Sequence, residues 1–224
     1  MKTIILNGSP KGNSEKSGSY FLAKAFVSQM EQSCEIRSIA AENLEELVKY
    51  IEDFDHVILI SPNYVHALPG IVIKFLEKLT TQTDSQKAFG FIIQSGYPES
   101  AESELICKYV RKLVKRLGYN SIGTVIKGEC AGIAMMPNMY HKLAKRFAAF
   151  GKDYEQTGAF SNSFIEEFGE PYRLSGSTIR KLNMLDKIGV TKIGWHKLQK
   201  KHGGYEKRLD APFAPTPQFD SSDS

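Results

Sequence analysis

Apolar and polar positions follow two rhythms along the first half of this chain. Short, nearly continuous apolar runs occupy residues 3–6, 34–39, 56–60, 88–93 and 121–126, each bounded by turn residues. Runs of this length predict strands, and those at 56–60 and 88–93 are apolar enough for burial on both faces. Between them apolar residues recur at three- and four-residue spacing. Phe21, Leu22, Ala25, Phe26 and Met30 predict a helix over 17–31, and Leu44, Leu47, Val48 and Ile51 a second. Ile71, Val72, Phe75, Leu76 and Leu79 predict a third that opens at Pro69, and residues 102–117 a fourth. Strands that alternate with helices need crossover connections, hence a parallel sheet covered on both faces. Five strands fit the order 2-1-3-4-5, whose switch point lies between the ends of the first and third strands. Ligand-binding loops are therefore expected after Leu6, Ile60 and Ile93.

The pattern changes near Gly128. A Gly, Met and Pro-rich loop at 132–137 precedes helical patterns at 140–150, 163–168 and 177–185, and the polar residues 216–224 read as a disordered tail. The expected organisation is a core over 1–127, a helical and loop-rich extension over 128–215 that packs on the core or on a second subunit, and the tail. Met135, Met136, Pro137, Met139, Tyr140, Phe147 and Phe150 form an apolar group that suits an interface, a lid or ordinary packing of the extension. Trp195, between Gly194 and His196, reads as a core anchor.

Composition narrows the classes. A chain of 224 residues that is 42% hydrophobic holds one α/β core and an appendage. Residues 1–100 carry 9 Lys and Arg against 12 Asp and Glu, and residues 101–224 carry 20 against 13. The basic half fits a solvated helical surface, a nucleotide phosphate or an acidic partner, but no basic run is long enough for a nucleic-acid arm. Cys34, Cys107 and Cys130 are odd in number and far apart, which suggests neither disulfides nor a metal cluster and fits reduced thiols in a cytoplasm. The apolar start ends at Asn7, too early for a signal peptide, and no stretch approaches the length of a membrane span. A cytoplasmic protein with no membrane, nucleic-acid or metal partner is expected.

Three loops carry the candidate chemistry. The first, from Asn7 through Gly8, Ser9, Pro10, Lys11, Gly12, Asn13 and Ser14 to Ser17, leads from a strand into a helix. Small residues, hydroxyls and a helix N-terminus there suit an anion, most often a phosphate. Walker spacing, a G-x-G-x-x-G turn and acidic residues at the strand end are all missing, which leaves a phosphomonoester held without metal. The second loop, Ser61-Pro62-Asn63-Tyr64-Val65-His66, offers Tyr64 or His66 to a flat heteroaromatic ring, although a histidine there equally suits a helix cap. The third, Gln94-Ser95-Gly96-Tyr97-Pro98-Glu99, is a turn taken alone. All three emerge at one edge of the sheet.

Asn-Gly-Ser-Pro-Lys at 7–11 with Ser17-Gly18-Ser19-Tyr20, Ser-Pro-Asn-Tyr at 61–64 with Leu68-Pro69-Gly70 and Lys74-Phe75-Leu76-Glu77, and Ser-Gly-Tyr at 95–97 resemble the FMN-dependent NAD(P)H oxidoreductases of flavodoxin-like fold, such as NADPH-dependent FMN reductases and quinone or azo reductases. The resemblance covers about 1–127 and implies a flavodoxin-like three-layer sandwich with a helical C-terminal extension. By it, Ser9, Lys11, Ser17 and Ser19 hold the FMN phosphate, with Asn13 and Ser14 as alternatives. Pro62, Asn63, Tyr64 and Val65 border the isoalloxazine, and Ser95, Gly96 and Tyr97 meet its pyrimidine side. Lys11 stands where many relatives carry Arg, which keeps the charge and gives up the bidentate fork. Residues 61–106 contain no Cys, which excludes the iron–sulfur relatives.

The implied activity is ping-pong transfer of two electrons from NADH or NADPH to a small quinone-, azo-, nitro- or flavin-type acceptor, in a homodimer. His66 and Tyr97 are the candidate proton donors. The alternative is a flavodoxin-type electron carrier without turnover, against which the basic, extended chain argues.

Overall fold

The computed structural model describes residues 1–82, 87–211 and 213. Five strands, β1 (Thr3–Asn7), β2 (Glu35–Ser38), β3 (His56–Pro62), β4 (Ala88–Gln94) and β5 (Asn120–Lys127), form one parallel sheet in the order β2-β1-β3-β4-β5. The register sets Ile5 between Ile36 and Ile58, and Ile60 beside Ile92. All strands run the same way, so all five C-terminal ends open at one edge, and there the loops of interest emerge.

The helices α1 (Gly18–Val27), α2 (Leu44–Tyr50), α3 (Gly70–Glu77) and α4 (Glu104–Arg116) make the crossovers, and α5 (His141–Thr157) and α6 (Asn162–Gly169) follow β5. Alternate strand residues point to opposite faces of a sheet, and the two buried clusters divide accordingly. Ile4, Leu6, Val57, Leu59, Phe89 and Phe91 pack with Leu47 of α2, Val72, Phe75 and Leu76 of α3, and Ile106 and Val110 of α4. Ile5, Ile58, Ile60, Ile92 and Val125 pack with Leu22 and Phe26 of α1, Phe147, Phe150 and Tyr154 of α5, and Phe164 and Phe168 of α6. This is the flavodoxin-like three-layer sandwich in the order read from the pattern.

Helix α5 lies close against α1. A Cβ on Gly151 would stand 1.8 Å from the Phe26 carbonyl oxygen, so only glycine allows the approach. Three residues later the buried Tyr154 hydroxyl bonds Thr3 Oγ1 at 2.9 Å and His56 Nδ1 at 2.8 Å, fixing α5 to the starts of β1 and β3.

The chain divides into two compact units, Met1–Leu174 and Ser175–Ser224. The stretch expected to be an extension from residue 128 therefore contributes residues 128–174 to the first unit. Within the apolar group of the sequence, Phe147 and Phe150 belong to the core, while Met135, Met136 and Met139 are exposed. In the second unit α7 (Gly176–Lys187) and α8 (Val190–Lys201) are joined through Gly189 at φ 78°. The apolar positions Ile193, Trp195 and Leu198 keep no single stripe, which is why α8 escapes a periodicity argument. Trp195 is 60% exposed, so its expected place in a core is corrected: a pair of 12-residue helices encloses too little volume to bury an indole. The proposed tail at 216–224 lies outside the described residues.

Candidate functional site

The end of β1 is organised by a side chain. Asn7 is fully buried; its Oδ1 accepts the Ser9 N–H at 3.0 Å, and its Nδ2 donates to the Gly12 carbonyl at 2.8 Å and to Asn13 Oδ1 at 2.9 Å. A primary amide has the donors and the acceptor needed to staple both arms of the loop. Gly8 seats the loop on α3, since a Cβ there would lie 2.7 Å from Val72 Cγ2. Ser9 Oγ accepts from the Lys11 N–H at 3.2 Å. Ser17 caps α1, its Oγ accepting the Tyr20 N–H at 3.1 Å, whereas the Gly18 and Ser19 N–H groups meet no acceptor among the described residues. Such free donors at a helix start attract an anion.

After β3 the chain makes a two-residue hairpin in which Tyr64 and Ala67 exchange backbone bonds of 2.9 and 3.2 Å. Val65 at φ 52° and His66 at φ 63° both adopt the left-handed region. For a β-branched residue that is strained, by about 1–3 kcal/mol. The strain holds Tyr64 and Val65 up at the sheet edge. Asn63 anchors the hairpin: its N–H donates to the Gln94 carbonyl at 2.7 Å, and its Nδ2 to the Glu102 carbonyl and Ser103 Oγ at 3.1 and 2.9 Å. Its Oδ1 is buried with no partner among the described residues.

After β4, Ser95 is buried and its Oγ accepts the Tyr97 N–H at 3.0 Å. Its backbone links two strands' ends, donating to the Lys127 carbonyl and accepting from Cys130 N–H. The Gly96 N–H has no acceptor among the described residues.

These loops enclose a cleft of about 510 Å³, within the range of small-molecule sites. Ser9, Lys11, Lys16 and Gly18 line one end, Pro62, Asn63, Tyr64 and Val65 one wall, and Gln94, Gly96 and Tyr97 the floor. No carboxylate lines it. Of the predicted phosphate residues, Ser9 and Lys11 reach the cleft; Ser17 and Ser19 are buried behind it, Ser19 Oγ within 3.5 Å of Gln94 Nε2. Ser95 likewise acts from behind. His66 is not brought to the cleft: its Nδ1 donates to the Glu102 carbonyl at 2.9 Å and its Nε2 lies 3.3 Å from Glu102 Oε2, on the α4 side. The structure thus places this candidate proton donor outside the cleft, its ring held by Glu102.

A fourth segment, residues 128–134, was missed. Cys130, Ala131 and Ala134 close the cleft, and Ala131 Cβ would stand only 3.2 Å from a Cβ on Gly96. The only signal was that β5, like the others, must end at this edge. Burial pushes the Cys130 thiol up to about 12, so it faces the cleft as a neutral group. A larger recess of about 690 Å³ at the opposite ends of the strands, beside Thr3, Cys34 and Glu155, contains none of the four loops.

A five-stranded sheet in the order 2-1-3-4-5, with an acid-free cleft across its switch point, defines a flavodoxin-like fold. Residues 1–105, somewhat less than half of the chain, match the family model described as NADPH-dependent FMN reductase. No curated protein matches by sequence. Among solved structures, the chain is similar to an apo NADH:FMN oxidoreductase (15% identity, TM-score 0.54, covering 76% of this chain and 96% of that one). It is similar also to general stress protein 14 in complex with FMN from Treponema denticola (13%, 0.53, 70% and 98%). A third is an NADPH-quinone reductase from P. pentosaceus (14%, 0.52, 68% and 99%). At these identities the likeness is one of fold.

The residues present fit FMN. Two lysines, the Ser9 hydroxyl and free α1 N–H groups suit a phosphate dianion, no carboxylate opposes it, and the wall and floor offer the flat faces of Tyr64 and Tyr97. The unpaired Oδ1 of Asn63 and N–H of Gly96 leave one acceptor and one donor on residues that line the cleft.

Proposed function

We propose that this protein is an FMN-dependent NAD(P)H oxidoreductase acting on a small quinone-, azo-, nitro- or flavin-type acceptor, as a cytoplasmic homodimer. FMN, when bound, supplies the chemistry, taking hydride from a nicotinamide and giving two electrons to the acceptor in alternating half-reactions. The protein's part is position and charge. Lys11, Lys16, Ser9 and the first N–H groups of α1 hold the phosphate, while Ser17 keeps that helix start in place. Pro62, Asn63, Tyr64 and Val65 set one side of the ring site, and the Gly96 N–H adds a positive dipole where negative charge develops. Tyr97, 48% exposed at the rim, is the candidate to hold and deliver a proton at its phenolic oxygen. The exposed Met135, Met136 and Met139, next to Ala134 of the cleft, give a second subunit an apolar surface to cover.

One observation carries this reading: three separately predicted loops meet around one acid-free cleft at the switch point. The test is the absorption spectrum of the purified protein titrated with FMN. A bound flavin spectrum, bleached anaerobically by NADH or NADPH and restored by a quinone, with parallel initial-rate lines, is expected. A protein that stays colourless in excess FMN ends the proposal, and one that binds FMN without turning over NAD(P)H is an electron carrier instead.

A further inference from the structure

Two consecutive residues of the hairpin that walls the cleft adopt a conformation their own chemistry does not favour. Val65 and His66 are the central pair of a turn with both φ angles positive, an arrangement that Asn and Gly usually supply. Local preference does not hold such a turn, so contacts from elsewhere must. The Val65 side chain lines the cleft and has no polar group. Behind the turn the first unit leaves a hollow of about 200 Å³, bordered by His66, Leu68, Ile73, Leu105 and Tyr109, so apolar packing on that side is incomplete. What remains is the imidazole.

Glu102 receives it. This residue lies in the 3₁₀ turn Ser100–Ser103 that precedes α4. Its carbonyl oxygen accepts from His66 Nδ1 at 2.9 Å and from Asn63 Nδ2 at 3.1 Å. Tyr64 and Val65, the two hairpin residues that line the cleft, thus stand between two donors that share one acceptor atom. That atom is itself fixed, because the Ser100 and Ala101 N–H groups donate to the Pro171 and Tyr172 carbonyls at 3.1 Å each. A carbonyl cannot donate, so Nδ1 carries a proton whatever the charge on the ring. The Glu102 carboxylate, 3.3 Å from Nε2, adds a partly exposed contact that contributes little by itself.

We propose that His66 is a positioning residue for the cleft: with Asn63 it brackets Tyr64 and Val65 and so fixes the wall against which the flavin ring lies. His66 does not line the cleft and acts only through its neighbours. In naming the ring as what the wall receives, the inference rests on the FMN reading; the bracketing of the hairpin does not.

His66→Asn and His66→Asp isolate the proton on that bond. Both side chains tolerate positive φ and have one shape, while only asparagine donates. In the full chain, His66→Asp should speed amide exchange at Tyr64 and Ala67, measured by NMR without flavin, about tenfold. It should also raise the FMN dissociation constant about tenfold, as loss of one hydrogen bond implies. Riboflavin, with no phosphate for the new charge to repel, should lose affinity as FMN does. His66→Asn should stay within about twofold of the parent in all three measurements, since it gives up only the carboxylate contact. Unmoved exchange in His66→Asp, equal impairment in His66→Asn, or a faster-exchanging hairpin with undiminished flavin affinity overturns the proposal. So does a loss for FMN alone, which assigns the effect to charge. A parent protein that binds no flavin ends the FMN reading, and the exchange rates then still decide whether His66 holds the hairpin.

Discussion

At the scale of single residues, the first loop owes its shape to Asn7 and its charge to Lys11. Asn7→Ala removes three hydrogen bonds from a buried position and leaves the Ser9 N–H and Gly12 carbonyl to find others. A stability loss of about 1–3 kcal/mol is expected by urea denaturation, together with weaker FMN binding. Lys11→Gln should leave the fold intact and raise the FMN dissociation constant about 10- to 100-fold, as loss of a charged hydrogen bond implies. Riboflavin, which lacks the phosphate, should bind both proteins alike in the same fluorescence titration; a parallel loss of riboflavin binding would place Lys11 elsewhere. Lys11 was legible because a cation among small residues after a strand suggests an anion. The role of Asn7 was not, since an amide that faces inward to staple a loop looks in sequence like any turn asparagine.

At the scale of elements, two contacts decide how α5 closes the sandwich. Gly151→Val drives a side chain into the backbone of α1, and a loss of more than about 3 kcal/mol, or failure to fold, is expected in thermal melts. The Tyr154 contact with His56 has a pH signature. Burial holds His56 below its ordinary value of 6.5, so the unfolded chain takes up that proton first as pH falls. Stability is therefore full above about 6.5 and falls as the pH drops through the depressed folded value. Urea midpoints measured between pH 7.5 and 5 should show this slope, and His56→Asn should flatten it. On the hairpin, Val65→Asn relieves the left-handed strain and should raise stability by about 1 kcal/mol. Strands and helices were legible because their periods of two and 3.6 are written directly in the apolar positions. The hairpin was not, because valine is among the last residues that local preference would place at positive φ.

For the whole molecule, the cleft is built from residues before 135, and the first compact unit ends at Leu174. A chain ended there should titrate with FMN within about twofold of the full protein, since α7 and α8 supply none of its walls. Loss of flavin binding on that truncation would show that the second unit completes the site. The charge division between the units was visible in composition only as a basic second half. The structure sharpens it, since α5 and α6 belong to the first unit, whose twenty basic and twenty acidic residues balance.

The alternation of apolar runs and helical stripes, with small and hydroxylated residues at three strand ends, was enough to determine the sheet order and the edge at which the three candidate loops emerge. Those properties follow from local periodicity and chain chirality. Tertiary structure alone decided that Ser17, Ser19 and Ser95 support the cleft from behind, that His66 turns away to Glu102, that Cys130 closes the floor, and that Trp195 stands in water. Each depends on which neighbour occupies the next few ångströms, and that neighbour comes from a distant part of the chain.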